Sequence, residues 1–302
     1  MDLTDPGSVR AAISDLEDVP HLFYCARFPH RAAEPEPIDE NLLMLCTLVE
    51  ALEPTAVNLE HVHLVQGSKY YGSELGPYKT PAKECDPRVP IPNWYYAQED
   101  WLVERARGKR WSWSASRPHG VCDHALEISR SMARVIAVYA AILKACGMPL
   151  YFPGTQASFS AMYQCTDATL LAEAMAWIAT EPRCRNEPFN VTNGDNIRWV
   201  DLWPRFADFF DMAPGPVRTI SLAREMQDKA PVWQQVVARH GLVPTPYAQT
   251  ALWPYGDFIF NAGYDIISDT LKLRRAGFWN RVDTETMFIR LFEHLRRQRI
   301  IP

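Results

Sequence analysis

Apolar positions recur along this chain with two alternating periods. His21 to Cys25 and Val62 to Val65 are short runs of strand character, and between them Leu42, Leu45, Leu48, Val49 and Leu52 return at helical spacing over Asn41 to Leu52. A strand, a crossover helix and a second strand form a βαβ unit, so the first hundred residues predict a parallel sheet. Residues 70–92, rich in Gly, Pro and Lys, read as a long loop before a helix that begins near Trp94. Trp111 to Ser116 alternates as a further strand that stops at Arg117-Pro118-His119. A helix over Met132 to Cys146 and a strand at Phe189-Asn190-Val191, closed by Asn193-Gly194-Asp195, follow. The last third is helical and ends in an amphipathic helix with Met287, Phe288, Leu291, Phe292 and Leu295 on one face. There is no internal repeat and no low-complexity linker. Two interleaved parts are expected, a core over 1–125 and a mixed substrate-binding lobe over 126–302 that shares the last core strands.

Composition narrows the class. With 302 residues, 47% hydrophobic and 22% charged, the chain can bury a substantial core. Its net charge of −5 argues against a nucleic-acid surface, which needs clustered Lys and Arg. The seven cysteines are scattered and never form a CxxC pair, which suits free thiols in a reducing compartment. The start has neither a basic nor an apolar region of a secretory signal, and the longest apolar stretch, near 133–146, is broken by Arg134 and Lys144. A cytoplasmic protein without a membrane partner is therefore expected.

Candidate chemistry collects where the strands end. Ligands of open α/β sheets bind at the carboxyl edge of the strands, and Lys69, Arg117-Pro118-His119 and Asn193-Gly194-Asp195 lie just past such edges. Tyr95 and Tyr96 open the helix that returns beside the strand leading to Lys69. A Tyr acting as an acid or oxyanion partner needs a nearby cation, since its ordinary pKa is about 10. One helical turn after the tyrosines stand Glu99 and Asp100, so the cation has to come from elsewhere, and Lys69 is the candidate. His61 and His63 share a strand face with no third metal ligand at useful spacing and read as buried strand histidines. Tyr96 and the Trp-rich stretches read as packing, and Asp167 and Asp195 as turn caps.

The motifs "QGSKYYG" (66–72), "NWYYAQED" (93–100), "WSASRPHGV" (113–121), "YQCTDATLLAEAMAW" (163–177), "NVTNGDNIRW" (190–199), "DKAPVW" (228–233), "GLVPTP" (241–246) and the terminal "IIP" closely resemble, in that order, the progesterone 5β-reductases and iridoid synthases. This is an atypical branch of the extended short-chain dehydrogenases in which the catalytic Lys leaves the usual YxxxK helix for a strand end. The resemblance covers essentially the whole chain. It implies an α/β Rossmann-like, doubly wound parallel sheet with a mostly helical substrate lobe, and NADPH-dependent reduction of an activated C=C bond in an enone or related carbonyl substrate. Tyr95 then matches the catalytic tyrosine and Lys69 the catalytic lysine, which also holds the nicotinamide ribose. Pro118, His119 and Val121 match the segment lining the nicotinamide through its backbone, and Asp2 the residue that meets the adenine.

Two departures stand out. The Gly-rich phosphate turn of a dinucleotide-binding fold is not present. Met1 to Pro6 matches the relatives just after their third strand, which implies an N-terminally truncated fold lacking its first two strands and its NADPH-selecting basic residues. A shortened chain is the favoured explanation over a stable short form. A sheet without those strands would expose an edge to a partner and leaves a homodimer open. The segment from Cys122 to Ser131 carries more charge than the small loop usual there, so substrate choice can differ. Competing readings are a carbonyl reductase or epimerase/dehydratase-like enzyme of the wider superfamily, and a non-catalytic remnant or interaction module.

Overall fold

The structure, a computed structural model, describes residues 1–29, 36–125 and 129–302. Asp5 opens helix α1 (Pro6–Ile13) by accepting the Gly7 amide at 2.8 Å, with Pro6 at the first helical position. An acidic cap followed by Pro is a start that sequence encodes directly. Strand β1 (His21–Tyr24), helix α2 (Ile38–Thr55), strand β2 (His61–Val65), helix α3 (Trp94–Ala106) and strand β3 (Ser112–Pro118) follow. Helix α2 begins earlier than Asn41 because Asp39 and Glu40 suit its electropositive first turn.

Helices α4 (Met132–Ala145) and α5 (Ala168–Thr180) precede β4 (Glu187–Val191). The four strands form one sheet in the order β1-β2-β3-β4, every pair parallel. Strand β3 continues through Arg117 and Pro118, which lie opposite Asn190 and Val191, so the expected stop comes two residues late. Rossmann-type layering results. On one face α1, α2 and α3 bury Val9, Leu45, Val49, Leu52 and Leu102 against Val62, Leu64 and Ala115. On the other, α5 packs Leu170, Ala174 and Ile178 against Phe189 and Val191.

The remaining helices, among them α6 (Trp199–Phe209), α7 (Ala230–His240), α8 (Trp253–Phe260) and α9 (Thr284–Arg297), surround α4. Residues Met132 to Leu143 of α4 are all buried, Arg134 included, which is why apolar residues run round that segment rather than along one stripe. Trp199, Trp203, Phe206, Phe260, Phe288 and Phe292 fill this second core, so the aromatic-rich stretches are packing. Asp167 caps α5 through the Thr169 and Leu170 amides, and Asp195 accepts from the Thr284 amide and hydroxyl. None of the seven cysteines is in a disulfide. Among the described residues no helix is long and apolar enough to cross a membrane.

Candidate active site

Three segments meet at the carboxyl ends of β2 and β3, and Asn93 joins two of them. Its Oδ1 caps α3 by accepting the Tyr95 amide at 2.9 Å, while its Nδ2 donates to the Lys69 carbonyl at 3.1 Å. Gln66, at the end of β2, donates to the Tyr95 carbonyl at 3.2 Å. These bonds set the Tyr95 side chain across the strand ends. A Cβ placed on Gly67 would stand 3.1 Å from the Tyr95 hydroxyl and 3.5 Å from the Pro118 carbonyl oxygen. The hydroxyl therefore rests against a position that only glycine leaves open, between the two strand ends.

Beneath this surface lies Arg117, whose side chain is only 1% exposed. It donates to Gln66 Oε1 at 2.9 Å and to the Tyr71 hydroxyl at 3.2 Å, and pairs with Glu99 Oε2 at 2.8 Å. Its guanidinium also stacks on the Tyr70 ring. A buried cation survives only when paired and fully bonded, and these partners come from β2, the turn after it and α3. Glu99, one turn beyond Tyr95, is thus the anion that Arg117 requires. Tyr96 packs as expected, donating to the Tyr70 carbonyl at 2.6 Å.

Lys69 and Tyr95 are neighbours through backbone, but no hydrogen bond joins their side chains. Lys69 Nζ instead pairs with Glu36 Oε1 at 2.5 Å, and Arg27 reaches the same oxygen at 3.0 Å. The Trp94 indole donates to the other Glu36 oxygen. Burial works to raise the Glu36 carboxyl, but the hydrogen bond and charge of Lys69, with Arg27 and Trp94, hold it below the ordinary carboxylate range. Burial pushes the Tyr95 phenol well up, and the Glu36 charge adds to that effect. The phenol is thus a firmly protonated donor. Sequence reasoning missed Glu36, which lies 33 residues from Lys69 in a Pro-rich stretch with no periodic signal.

Pro118 is buried and His119 and Val121 are partly buried at the end of β3, where Val121-Cys122 pairs with Thr166-Asp167. His119 Nδ1 shares a 2.5 Å hydrogen bond with the Ser68 hydroxyl, and its ring meets Tyr163 edge-on at 4.7 Å. Beside it opens a cavity of about 220 Å³ lined by Ser73, Glu74, Tyr163, Phe258 and Tyr264, among others. Asp2 stands apart: it is exposed, and its Oδ1 accepts from the Thr4 amide and hydroxyl at 2.8 and 2.7 Å. The centre of the charged segment after Cys122, residues 126–128, lies outside the described residues. His61 and His63 are bonded to Ser112, Ser114 and Ser116, and no group of side chains suited to a metal occurs among the described residues.

The Bordetella bronchiseptica enzyme WbmG, solved in complex with NAD, shares this fold at a TM-score of 0.66 and 14% identity, over 100% of this chain and 79% of that one. Parallel strands with helices on both faces define a Rossmann-fold protein. A family model described as the PRISE-like Rossmann-fold domain matches residues 5–302. The (S)-8-oxocitronellyl enol synthase CYC2 of Camptotheca acuminata is 32% identical over 312 residues, 100% of this chain and 80% of that protein. The 3-oxo-Delta(4,5)-steroid 5-beta-reductase of Arabidopsis thaliana is 31% identical over 314 residues, 100% of this chain and 79% of that protein. The chain belongs to the PRISE-like Rossmann-fold family, oxidoreductases within the short-chain dehydrogenase superfamily.

Proposed function

We propose that this protein is an NADPH-dependent reductase of the activated C=C bond of α,β-unsaturated carbonyl compounds. The observation that carries the reading is the protonated Tyr95 hydroxyl held over Gly67 and Pro118 at two adjacent strand ends. The relatives' names support the reaction type. A 3-oxo-Δ4,5 steroid contains an enone, and an enol is what 1,4-reduction of an enal leaves before its proton moves.

The residues present fit the nicotinamide end of a dinucleotide. Gly120 takes φ +53° where a Cβ would meet the Gln164 carbonyl at 3.1 Å, so the backbone after Pro118 turns tightly past the site. Pro118, His119 and Val121 would line that ring, Lys69 its ribose, and Asp2 the adenine. The glycines of this chain never form the GxxGxxG turn that would hold the pyrophosphate. NADPH, when bound, supplies the hydride for the β-carbon; its preference over NADH rests on the family resemblance.

Tyr95 donates a hydrogen bond to the carbonyl oxygen, and this bond strengthens as that oxygen becomes an enolate, which is transition-state stabilisation by a preorganised donor. Because burial keeps the phenol protonated, the donor is in place at every physiological pH. Lys69 adds positive charge beside the oxyanion once its ammonium leaves Glu36. Carbonyl reduction or epimerase-type chemistry is disfavoured because the residue four after Tyr95 is Glu99, committed to Arg117.

The test is NADPH oxidation by the full chain with (E)-oct-3-en-2-one and identification of the product. Octan-2-one is expected, and an allylic alcohol would refute the reading. Tyr95→Phe should lower kcat by roughly 100-fold or more with the thermal transition unchanged. Equal turnover by that variant would remove Tyr95 from the mechanism, and absence of any NADPH affinity would favour a non-catalytic protein.

A further inference from the structure

Helix α8 gives one face to the core and the opposite face to two cations. Trp253, Gly256, Ile259 and Phe260 are buried. A Cβ on Gly256 would stand 2.6 Å from Leu222 and 2.9 Å from Val135 of α4, so close packing fixes how the helix is rolled. Tyr255 and Phe258, three residues apart, share the outer face, with Cβ atoms roughly 5–6 Å from each other. The Arg130 guanidinium lies 5.0 Å from the centre of the Tyr255 ring, and the Lys69 ammonium 5.7 Å from that of Phe258. The two rings therefore make an apolar strip with a cation at each end, and Phe258 is 49% exposed, which leaves the strip open to a ligand. Its Lys69 end belongs to the Tyr95 site, to which Asn93 joins it.

The two cations differ in what they already hold. Lys69 is paired with Glu36 at 2.5 Å. Arg130 is exposed and, among the described residues, makes no hydrogen bond and no ion pair. Asp123, whose charge also reaches Tyr255, accepts the Ala125 amide at 2.8 Å instead of pairing with it. A ring face attracts a guanidinium without neutralising it or using its N–H donors. The segment is anchored all the same, since the Leu252 amide, just before α8, donates to the Ser129 carbonyl at 3.0 Å. Burial raises the phenols of Tyr95 and Tyr255, and the Arg130 charge opposes it at both, so its field reaches the Tyr95 hydroxyl. A stacked guanidinium with its donor edge free matches a carboxylate, which it can hold by two parallel hydrogen bonds.

We infer that Arg130 is a specificity residue that selects enones carrying a carboxylate at the far end of a hydrocarbon chain from the carbonyl, with that chain lying across Tyr255 and Phe258. The inference rests on the reductase reading for its substrate class, but carboxylate binding can be read without turnover.

Two pairs of compounds test it: (E)-9-oxodec-7-enoate against its methyl ester for turnover, and 9-oxodecanoate against its methyl ester for calorimetric binding. The enone acid should show kcat/KM higher by about 5-fold or more, carried by KM. The saturated keto acid should bind tighter by a similar factor, and both ratios should shrink in about 1 M salt. Arg130→Gln should bring both ratios within about 2-fold of unity, and Arg130→Lys, which keeps the charge without the planar fork, should keep part of the preference. Equal constants for acid and ester in the unaltered protein, or a preference untouched by Arg130→Gln, would overturn the inference. A loss in Arg130→Gln confined to the KM for NADPH would assign the arginine to the dinucleotide phosphates and overturn it as well. Selective binding of the keto acid, lost in Arg130→Gln, without reduction of either enone would uphold the strip and reject the reductase reading instead.

Discussion

At the scale of single residues, Gly67 sets the site because of the side chain it lacks. Its backbone is extended, a conformation open to any residue, so the constraint is space alone: a methyl there would sit 3.1 Å from the Tyr95 hydroxyl. Gly67→Ala is therefore expected to displace that hydroxyl by a few tenths of an ångström and cost about 10-fold in kcat. The thermal transition should be nearly unchanged, and kinetics beside a melting curve would show a mere folding defect if both fell together. The places of Tyr95 at a helix start and of Lys69 just past a strand end were legible in the chain, and Asn93 could have been read as a cap from its place before the helix. Glu36 was not legible, because its partners Lys69, Arg27 and Trp94 lie across loops, where no periodicity reports contact.

Elements carry the next constraint. Between β2 and β3 runs a buried row in which His61 bridges Ser112 and Ser114, and His63 bridges Ser114 and Ser116, at 2.6–3.0 Å. The alternation that aims Val62 and Leu64 at α2 aims these polar residues at the other face; the sequence showed that shared face but not the serines that satisfy it. Burial, with His21 and Arg185 near His61 and His61 near His63, lowers the two imidazoles to about 4 and about 3. Both values lie below the roughly 6.5 of an unfolded His, so only the unfolded chain takes up these protons as pH drops through that window. The stabilisation is complete above about 6.5 and is lost as pH falls toward 4, by roughly 3 kcal/mol for His61. Urea unfolding at pH 7 and 4.5 should show the loss, and a smaller one in His61→Gln; identical pH dependence would exclude His61 as its source. Elsewhere, a Cβ on Gly154 would lie 1.9 Å from the Phe260 carbonyl oxygen. Gly154→Ala should therefore destabilise by about 1–3 kcal/mol, measured by the same denaturation. No pattern in the chain marked that approach, which joins segments a hundred residues apart.

For the whole molecule, the parallel sheet was legible because strands and helices alternate with distinct periods, whereas the arrangement of helices around α4 was not, since a helix buried on every side does not say what surrounds it. Strand β1 is the sheet's edge and pairs only with β2 among the described residues, and its own Phe23 is 40% exposed. An edge of this kind templates further pairing. Sedimentation should show association that grows with concentration and is suppressed in Phe23→Lys; a monomer at all concentrations would show the edge to be inert. The Lys69–Glu36 pair reaches further than its own geometry. If the ammonium must leave its carboxylate to hold a ribose, the carboxylate loses its main partner and keeps only Arg27 and Trp94 against its burial, so its proton affinity rises. Dinucleotide and proton are thereby positively linked ligands, each tightening the other by the same factor. NADP⁺ titrated calorimetrically in mildly acidic buffers of different ionisation heat should register net proton uptake, and Glu36→Gln should abolish it, making the loaded enzyme a reporter of the acidity around it.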